Sequence, residues 1–232
     1  MKLWDDVSET KIFNTDLNEL VRYDNNIFAD AAARDAFLTG DLAPVPGMTA
    51  YMADDGVTYR RITVGAASYW APAPGTHLVC MTAGGNMGSM GGNVAYQLTT
   101  LTTVRTRNLG GLWANSRFTP VVPGFYELEA SVCLNHSATD GYRAAWLSLN
   151  GASVATAING SWNQFYPTGG TLGGQINVPT RSVCTYFNGT DGSYATVMVM
   201  HNSATAHNTM YYNTDHSYVA YGSWFSAKYL GL

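Results

Sequence analysis

The chain has 232 residues, a formal net charge of -4 and only 12% charged residues, with no block of Lys or Arg dense enough for counterion-driven binding to nucleic acid. Its 24 glycines and 15 tyrosines, with abundant Ser, Thr and Asn, argue against a helical protein and for many short strands joined by tight turns. No window approaches the roughly 20 apolar residues of a bilayer span, and the opening MKLWDDVSET has no apolar signal-peptide core; both predict synthesis in a cytoplasm without encoded export or membrane insertion.

Residues 1–40 carry the helical patterning. TDLNELVRYDN puts Leu17, Leu20 and Val21 on one side, with Asp16 and Glu19 as a capping pair, and DAAARDAFL follows with Asp30 as N-cap. Eleven of the sixteen acids fall before residue 56, the other five being Glu127, Glu129, Asp140, Asp191 and Asp215. Two short helices are marginal in water, so this acidic segment is expected to dock on something.

Residues 41–82 change to short strands, MTAYMAD, VTYRRITV and SYWAP, with the turn DDG between the first two: a small β-hairpin module. The line PVPGMTAYMADDGVTYRR with its following Trp70 resembles a hairpin module of tailed-bacteriophage tail and fibre proteins, over roughly forty residues. Residues 83–93, AGGNMGSMGGN, read as a linker or as the first loop of the next domain. Met87 and Met90 lack His or Cys beside them, and two thioethers alone make a poor metal site.

From residue 94 to 232 the chain reads as successive strands, each ended by a Gly, Asn or Pro turn: VAYQLTTLTTV, GFYELEASVCL, RAAWLSLNG, ASVATAI, GGQINVPT, YATVMVMHNSA and HSYVAYGSWFSAKYL. Arg105 and Arg107 share one strand face, which reads as solvated. In FTPVVPGFYELEASVCL, Pro123 fixes its own φ and Gly124 allows an abrupt turn, a rigid corner that launches Phe125, Leu128, Ala130, Val132 and Leu134 into the centre of a sheet. Strands in this number predict a mainly β fold, a two-sheet sandwich.

The order of FTPVVPGFYELEASVCL, YRAAWLSLNG, DGSYATVMVMHNSA and SYVAYGSWFSAKYLG resembles the jelly roll of the tumour-necrosis-factor and complement globular-head superfamily. Pro123, Gly124, Tyr126, Asn150, Gly151, Asp191, Gly192, Phe225 and Leu230 fill its recurrent places, over about 60% of the chain. Where that family carries a collagen stalk or membrane anchor, this sequence is expected to carry the acidic helical segment instead. The resemblance implies a homotrimer formed by flat aromatic sheet faces, and the surplus aromatics Trp113, Tyr126, Tyr218, Tyr221 and Trp224 are the expected interface; the alternative is that they fill the core of a single chain.

Catalytic patterns are absent from the sequence. His77, His136, His201, His207 and His216 fall in turns or exposed strand ends, and no nucleophile elbow, zinc helix or phosphate loop is present. His201, His207, Asp215 and His216 lie close in sequence but read as solvated turn residues rather than metal ligands. Glu127 and Glu129 share a strand face about 7 Å apart, a spacing open to glycoside hydrolysis that nothing else supports. Cys80, Cys133 and Cys184 are an odd, scattered set that reads as three buried thiols.

These readings predict a non-enzymatic structural protein of a tailed-phage virion, without metal or cofactor. It is expected to be a trimeric minor tail or fibre-like protein that docks on other virion proteins through residues 1–82 and displays its jelly roll outward. A capsid decoration protein or head fibre is the nearest alternative, and a virion-borne β-sandwich polysaccharide-degrading enzyme the more distant one. The loop containing Trp162, Asn163, Gln164, Phe165 and Tyr166 combines flat rings with amides and is the expected contact for host surface glycan.

Overall fold

The computed structural model describes residues 26–83, 87, 89–136, 141–151, 153–166, 174–202, 207–208 and 222–232. The expected helix over TDLNELVRYDN, together with Tyr218, Tyr221, Asp215 and His216, lies outside the described residues. The chain divides into two compact units, Met1–Pro74 and Gly75–Leu232. Among the described residues no helix is long and apolar enough to cross a membrane.

In the first unit, β1 (Asn26–Phe28) and α1 (Ala31–Phe37) precede β2 (Thr49–Met52), β3 (Val57–Val64) and β4 (Ala67–Pro72), which form a sheet of order β1-β2-β3-β4. Asp30 caps α1 as its sequence predicts, its Oδ1 accepting from the Ala33 amide at 2.8 Å. In the DDG turn, Asp55 Oδ1 accepts from the Val57 amide at 2.8 Å and Gly56 takes φ +66°. Phe28, Leu38, Met48, Ala50 and Met52 form a small core against which Trp70 packs. The parallel pairing of β1 with β2 joins the end of the helical segment to the hairpin module, so the described part of 1–40 and residues 41–72 build one body.

The second unit opens with β5 (His77–Thr82), β6 (Ser89–Met90), β7 (Tyr96–Gln97), β8 (Thr103–Asn108), β9 (Trp113–Ala114) and β10 (Arg117–Phe118). It continues with β11 (Gly124–His136), β12 (Arg143–Leu149), β13 (Asn163–Phe165), β14 (Gly174–Phe187), β15 (Ala195–His201), β16 (His207–Asn208) and β17 (Trp224–Gly231). One sheet runs β14-β11-β17-β5-β8; the other runs β13-β12-β15-β10-β9, with β7 also pairing β15. From β8 onward the chain passes between the sheets at β8 to β9, β10 to β11, β11 to β12, β13 to β14, β14 to β15 and, by way of β16, β15 to β17, and this strand order is a jelly-roll sandwich. The protein is mainly β, as composition and turn spacing predict.

Several local expectations shift. β5, placed by its sequence at the end of the hairpin module, pairs with β17 and β8 and so belongs to the sandwich. In the glycine-rich stretch after it, Ala83 and Met90 are buried, and Ser89–Met90 pair as β6 with β16. ASVATAI contains a 3-10 turn, Val154–Thr156, because Ser153 and Thr156 cap each other there and compete with a strand ladder. Pro179 lies within β14, which is tolerated because β14 is the outermost strand of its sheet. Phe125 points to the outward face, and Tyr126 takes the inward place ahead of Leu128, Ala130, Val132 and Leu134.

The core lies between the sheets. Phe118 from β10 is fully buried and meets Tyr126, Phe187 and Phe225 of the other sheet at centroid distances of 5.7, 6.0 and 6.0 Å. Truncating such a ring to Ala costs about 3–5 kcal/mol. β12 is buried along Arg143–Ser148, on both of its faces.

The Pro123–Gly124 corner is where this core is tied off. Tyr126 donates its hydroxyl to Val122 O at 2.6 Å, and Tyr229 donates to Pro123 O at 3.4 Å. Burial pushes the Tyr126 hydroxyl well above its ordinary pKa, with Tyr229 a smaller cause, so it stays a protonated donor. Gly124 has φ +152°, and a Cβ there would lie 2.6 Å from Tyr229 Cε2 and 2.7 Å from Gly231 O. Gly189 supports the corner from outside: a Cβ on it would lie 2.6 Å from Pro123 N.

Candidate functional site: the outward face of the five-stranded sheet

Strand alternation sends Phe125, Glu127, Glu129 and Ser131 of β11 to the face turned away from the core. Register places Tyr186 beside Phe125, Arg181 beside Glu129, and Trp224 beside Ser131. The face therefore has an aromatic end, a charged middle and a second aromatic end.

At the first end the Phe125 and Tyr186 rings meet edge to face with centroids 5.3 Å apart, yet Phe125 is 38% and Tyr186 48% exposed. Val183 and Leu230 are exposed there too; Val183 lies in the irregularity of β14 opposite Glu127, and Leu230 precedes Gly231, the partner of Phe125.

In the middle, Arg181 bonds Glu127 through Nη2 and Glu129 through Nε, the latter at 2.9 Å, and Lys228 Nζ donates to Glu127 Oε2 at 3.1 Å. Two anions meet two cations, so the region is charge-balanced. The hydrogen bonds from Arg181, and then from Lys228, hold the Glu127 carboxyl below the usual carboxylate range. A glycosidase needs one carboxyl kept protonated near neutrality. Glu127 is built the opposite way, as a carboxylate compensated by Arg181 and Lys228.

At the other end a groove of about 530 Å³ lies between this face and the segment leading into β13, lined by Glu129, Arg181, Trp224, Pro179, Trp162 and Asn163 among others. Its far wall is fixed from below. Ser161 is buried and accepts from the Leu147 amide at 3.2 Å, while Thr180 donates to Ser161 O. Asn163 Nδ2 donates to Pro179 O at 2.7 Å, and the Trp162 ring stacks on buried Trp146 with centroids 4.7 Å apart. Trp162 and Trp224 are both half-buried.

The residues expected from sequence thus divide. Trp162 and Asn163 line the groove, joined there by Trp224; Gln164 is half-buried and accepts from Trp162 Nε1 at 3.3 Å. Phe165 and Tyr166 are exposed, Tyr166 meeting Tyr142 at 5.9 Å. Trp113 and Tyr126, expected at a subunit interface, are 5% and 1% exposed and serve the core of the single chain. Trp113 stacks on Phe225 at 4.5 Å, and Tyr126 packs on Phe187 and Tyr229. No local sequence signal marks Arg181 or Pro179; the pairing register of β11 with β14 is what brings them to the site.

Other expectations also move. His201 is buried, its Nε2 2.9 Å from Met90 O, rather than at an exposed strand end. Of the cysteines only Cys133 is buried; Cys184 is exposed and Cys80 intermediate. Among the described residues no group of three or more His, Cys, Asp or Glu could hold a metal ion.

No protein-family model matches the chain, and neither does any curated protein. Similar solved structures include the Eiger TNF of S. frugiperda, at 9% identity and TM-score 0.44 over 68% of this chain and 94% of that one. Murine APRIL is similar at 12% identity and TM-score 0.44, over 66% of this chain and 98% of its own. The globular domain of zebrafish complement 1qA protein is similar at 9% identity and TM-score 0.42, over 65% and 94% of the two chains.

Proposed function

We propose that this chain is a non-catalytic structural component of a tailed-phage virion that associates with copies of itself, as a homotrimer, through the Phe125/Tyr186 end of the five-stranded sheet and displays its sandwich outward. The observation that carries the reading is the exposed ring pair Phe125–Tyr186 with Val183 and Leu230 beside it. Large apolar side chains exposed together on one sheet are surface that a partner would cover.

A second copy suits it because the adjoining charges are balanced. A face that carries Glu127 and Glu129 with Arg181 and Lys228 can meet its own copy without like-charge repulsion, and its ion pairs can rearrange across the contact. The virion placement draws on the resemblance of residues 41–82 to the phage hairpin module, with the first unit as the attachment part.

Light-scattering mass of the purified chain tests the association. A trimer that persists after removal of residues 1–74 and falls to monomer in Phe125→Ser/Tyr186→Ser supports the reading. A monomer at every concentration, or a trimer indifferent to both substitutions, overturns it. Recovery of the chain with intact particles on a density gradient tests the virion placement, and a chain found only at the top of the gradient refutes it.

A further inference from the structure

We infer that the groove between Trp224 and Trp162 is a binding site for a neutral oligosaccharide. The inference deepens the display role proposed above and rests on it only in needing the groove to face solvent. Along β11 the groove begins at Glu129, four residues from Phe125 and so about 13 Å from the apolar end. Covering one end leaves the other accessible.

A sugar ring has apolar C–H faces and a rim of hydroxyls that both donate and accept. The groove offers both complements. Trp224 and Trp162, both half-buried, line it with aromatic side chains that can meet the C–H face. Glu129 and Arg181, joined at 2.9 Å and both reachable from solvent, set acceptors beside donors in two adjacent planar groups, a match for neighbouring hydroxyls. The volume of about 530 Å³ lies in the range of small-ligand sites and exceeds what one sugar ring fills.

Charge selects the neutral class. The lining carboxylate and guanidinium already compensate each other, and Glu127 competes for the same arginine. A sialic acid or uronate would have to break that arrangement to obtain a counter-charge. Backbone chemistry disfavours a peptide: adding a strand needs a free ladder, whereas Pro179 has no N–H to give and its carbonyl is taken by Asn163 Nδ2.

The wall is preorganised, because Ser161, Thr180, Asn163 and the Trp146–Trp162 stack hold it without a ligand. Binding then costs little ordering.

The test uses the full chain on an array of neutral trisaccharides (chitotriose, cellotriose, maltotriose, mannotriose) with sialyllactose and trigalacturonate as acidic counterparts. The strongest binder is then titrated by tryptophan fluorescence. Binding of a neutral member, weakened about tenfold by Trp224→Ala and also weakened by Glu129→Gln, with unchanged light-scattering mass, is the expected result. Capture of acidic members only, of none, or binding indifferent to both substitutions overturns it. The association reading fails separately: a monomeric chain that still binds sugar refutes the trimer alone, and a trimer that binds no sugar refutes this site alone.

Discussion

Replacing Gly124 probes the corner on which the sandwich closes. An alanine there places its Cβ 2.6 Å from Tyr229 Cε2 and 2.7 Å from Gly231 O, and it must adopt φ +152°, which L side chains rarely take. The oxygen belongs to backbone that is paired with Phe125, and the ring is packed against Tyr126, so neither can swing aside. Overpacking of this kind costs about 1–3 kcal/mol, and a backbone held in a sparsely populated region about 1–3 more. The sum, about 2–6 kcal/mol, is a large part of the 5–15 kcal/mol of a typical domain. Gly192→Ala is the control, because Gly192 has φ +71° with nothing within 4 Å, leaving only about 1–2 kcal/mol of backbone cost. Urea unfolding followed by fluorescence reads the difference, since four of the six tryptophans (Trp113, Trp146, Trp162 and Trp224) lie in this unit. Gly124→Ala is expected to lower the midpoint well beyond Gly192→Ala, and Gly124→Val to prevent folding of the sandwich. Equal midpoints for the two alanine variants, or a soluble and normally associated Gly124→Val, would refute the steric argument.

Gly189→Ala should destabilise the same corner from the other side, since its Cβ would lie 2.6 Å from Pro123 N; a midpoint unchanged from wild type contradicts that contact. Tyr126→Phe removes the donor to Val122 O and is expected to cost about 1 kcal/mol in urea unfolding, whereas a neutral result would mean that the bond contributes nothing. Glu127 has a folded pKa below its unfolded one, so its contribution is present above the ordinary carboxylate pKa and is lost as pH falls through the depressed folded value. The stability gap between wild type and Glu127→Gln should therefore be open at neutral pH and shrink in acid; a gap constant from neutral to acid pH contradicts the ion network. Phe118→Ala should cost about 3–5 kcal/mol, and a loss below 1 kcal/mol would place that ring outside the shared core.

Where a feature depends on neighbours in sequence, the residues announce it. Asp30 heads its helix because a carboxylate three residues before an amide can reach it. The β-sandwich was legible for the same reason, through alternation and turn residues, whereas its jelly-roll order was implied only by the resemblance of four segments in sequence. What could not be read was which aromatic serves which surface. Trp113, Tyr126 and Trp224 are chemically alike, yet Trp113 and Tyr126 turn inward and Trp224 outward, because alternation fixes only relative facing until the neighbouring strand is known. The groove was half visible: Trp162 and Asn163 stand together in the chain, whereas Arg181 and Glu129 join them only through the antiparallel register of β11 and β14, more than fifty residues apart. ASVATAI misled because Val, Thr and Ile favour strands, while the outcome turned on two hydroxyls, Ser153 and Thr156.

β17 lies between β11 and β5, so the pairs β14–β11 and β5–β8 have no hydrogen-bonded contact with each other until residues 224–231 are in place. During synthesis the five-stranded sheet therefore waits as two fragments while its last strand is still being made. The first of them, β5, must be kept from wrong partners through the translation of some 140 residues that follow it. Closure by so distant a pairing is slow, and unpaired edges left exposed in the meantime invite pairing with other chains. A nascent chain cut before Trp224 would keep its two strand pairs and lack the strand that joins them.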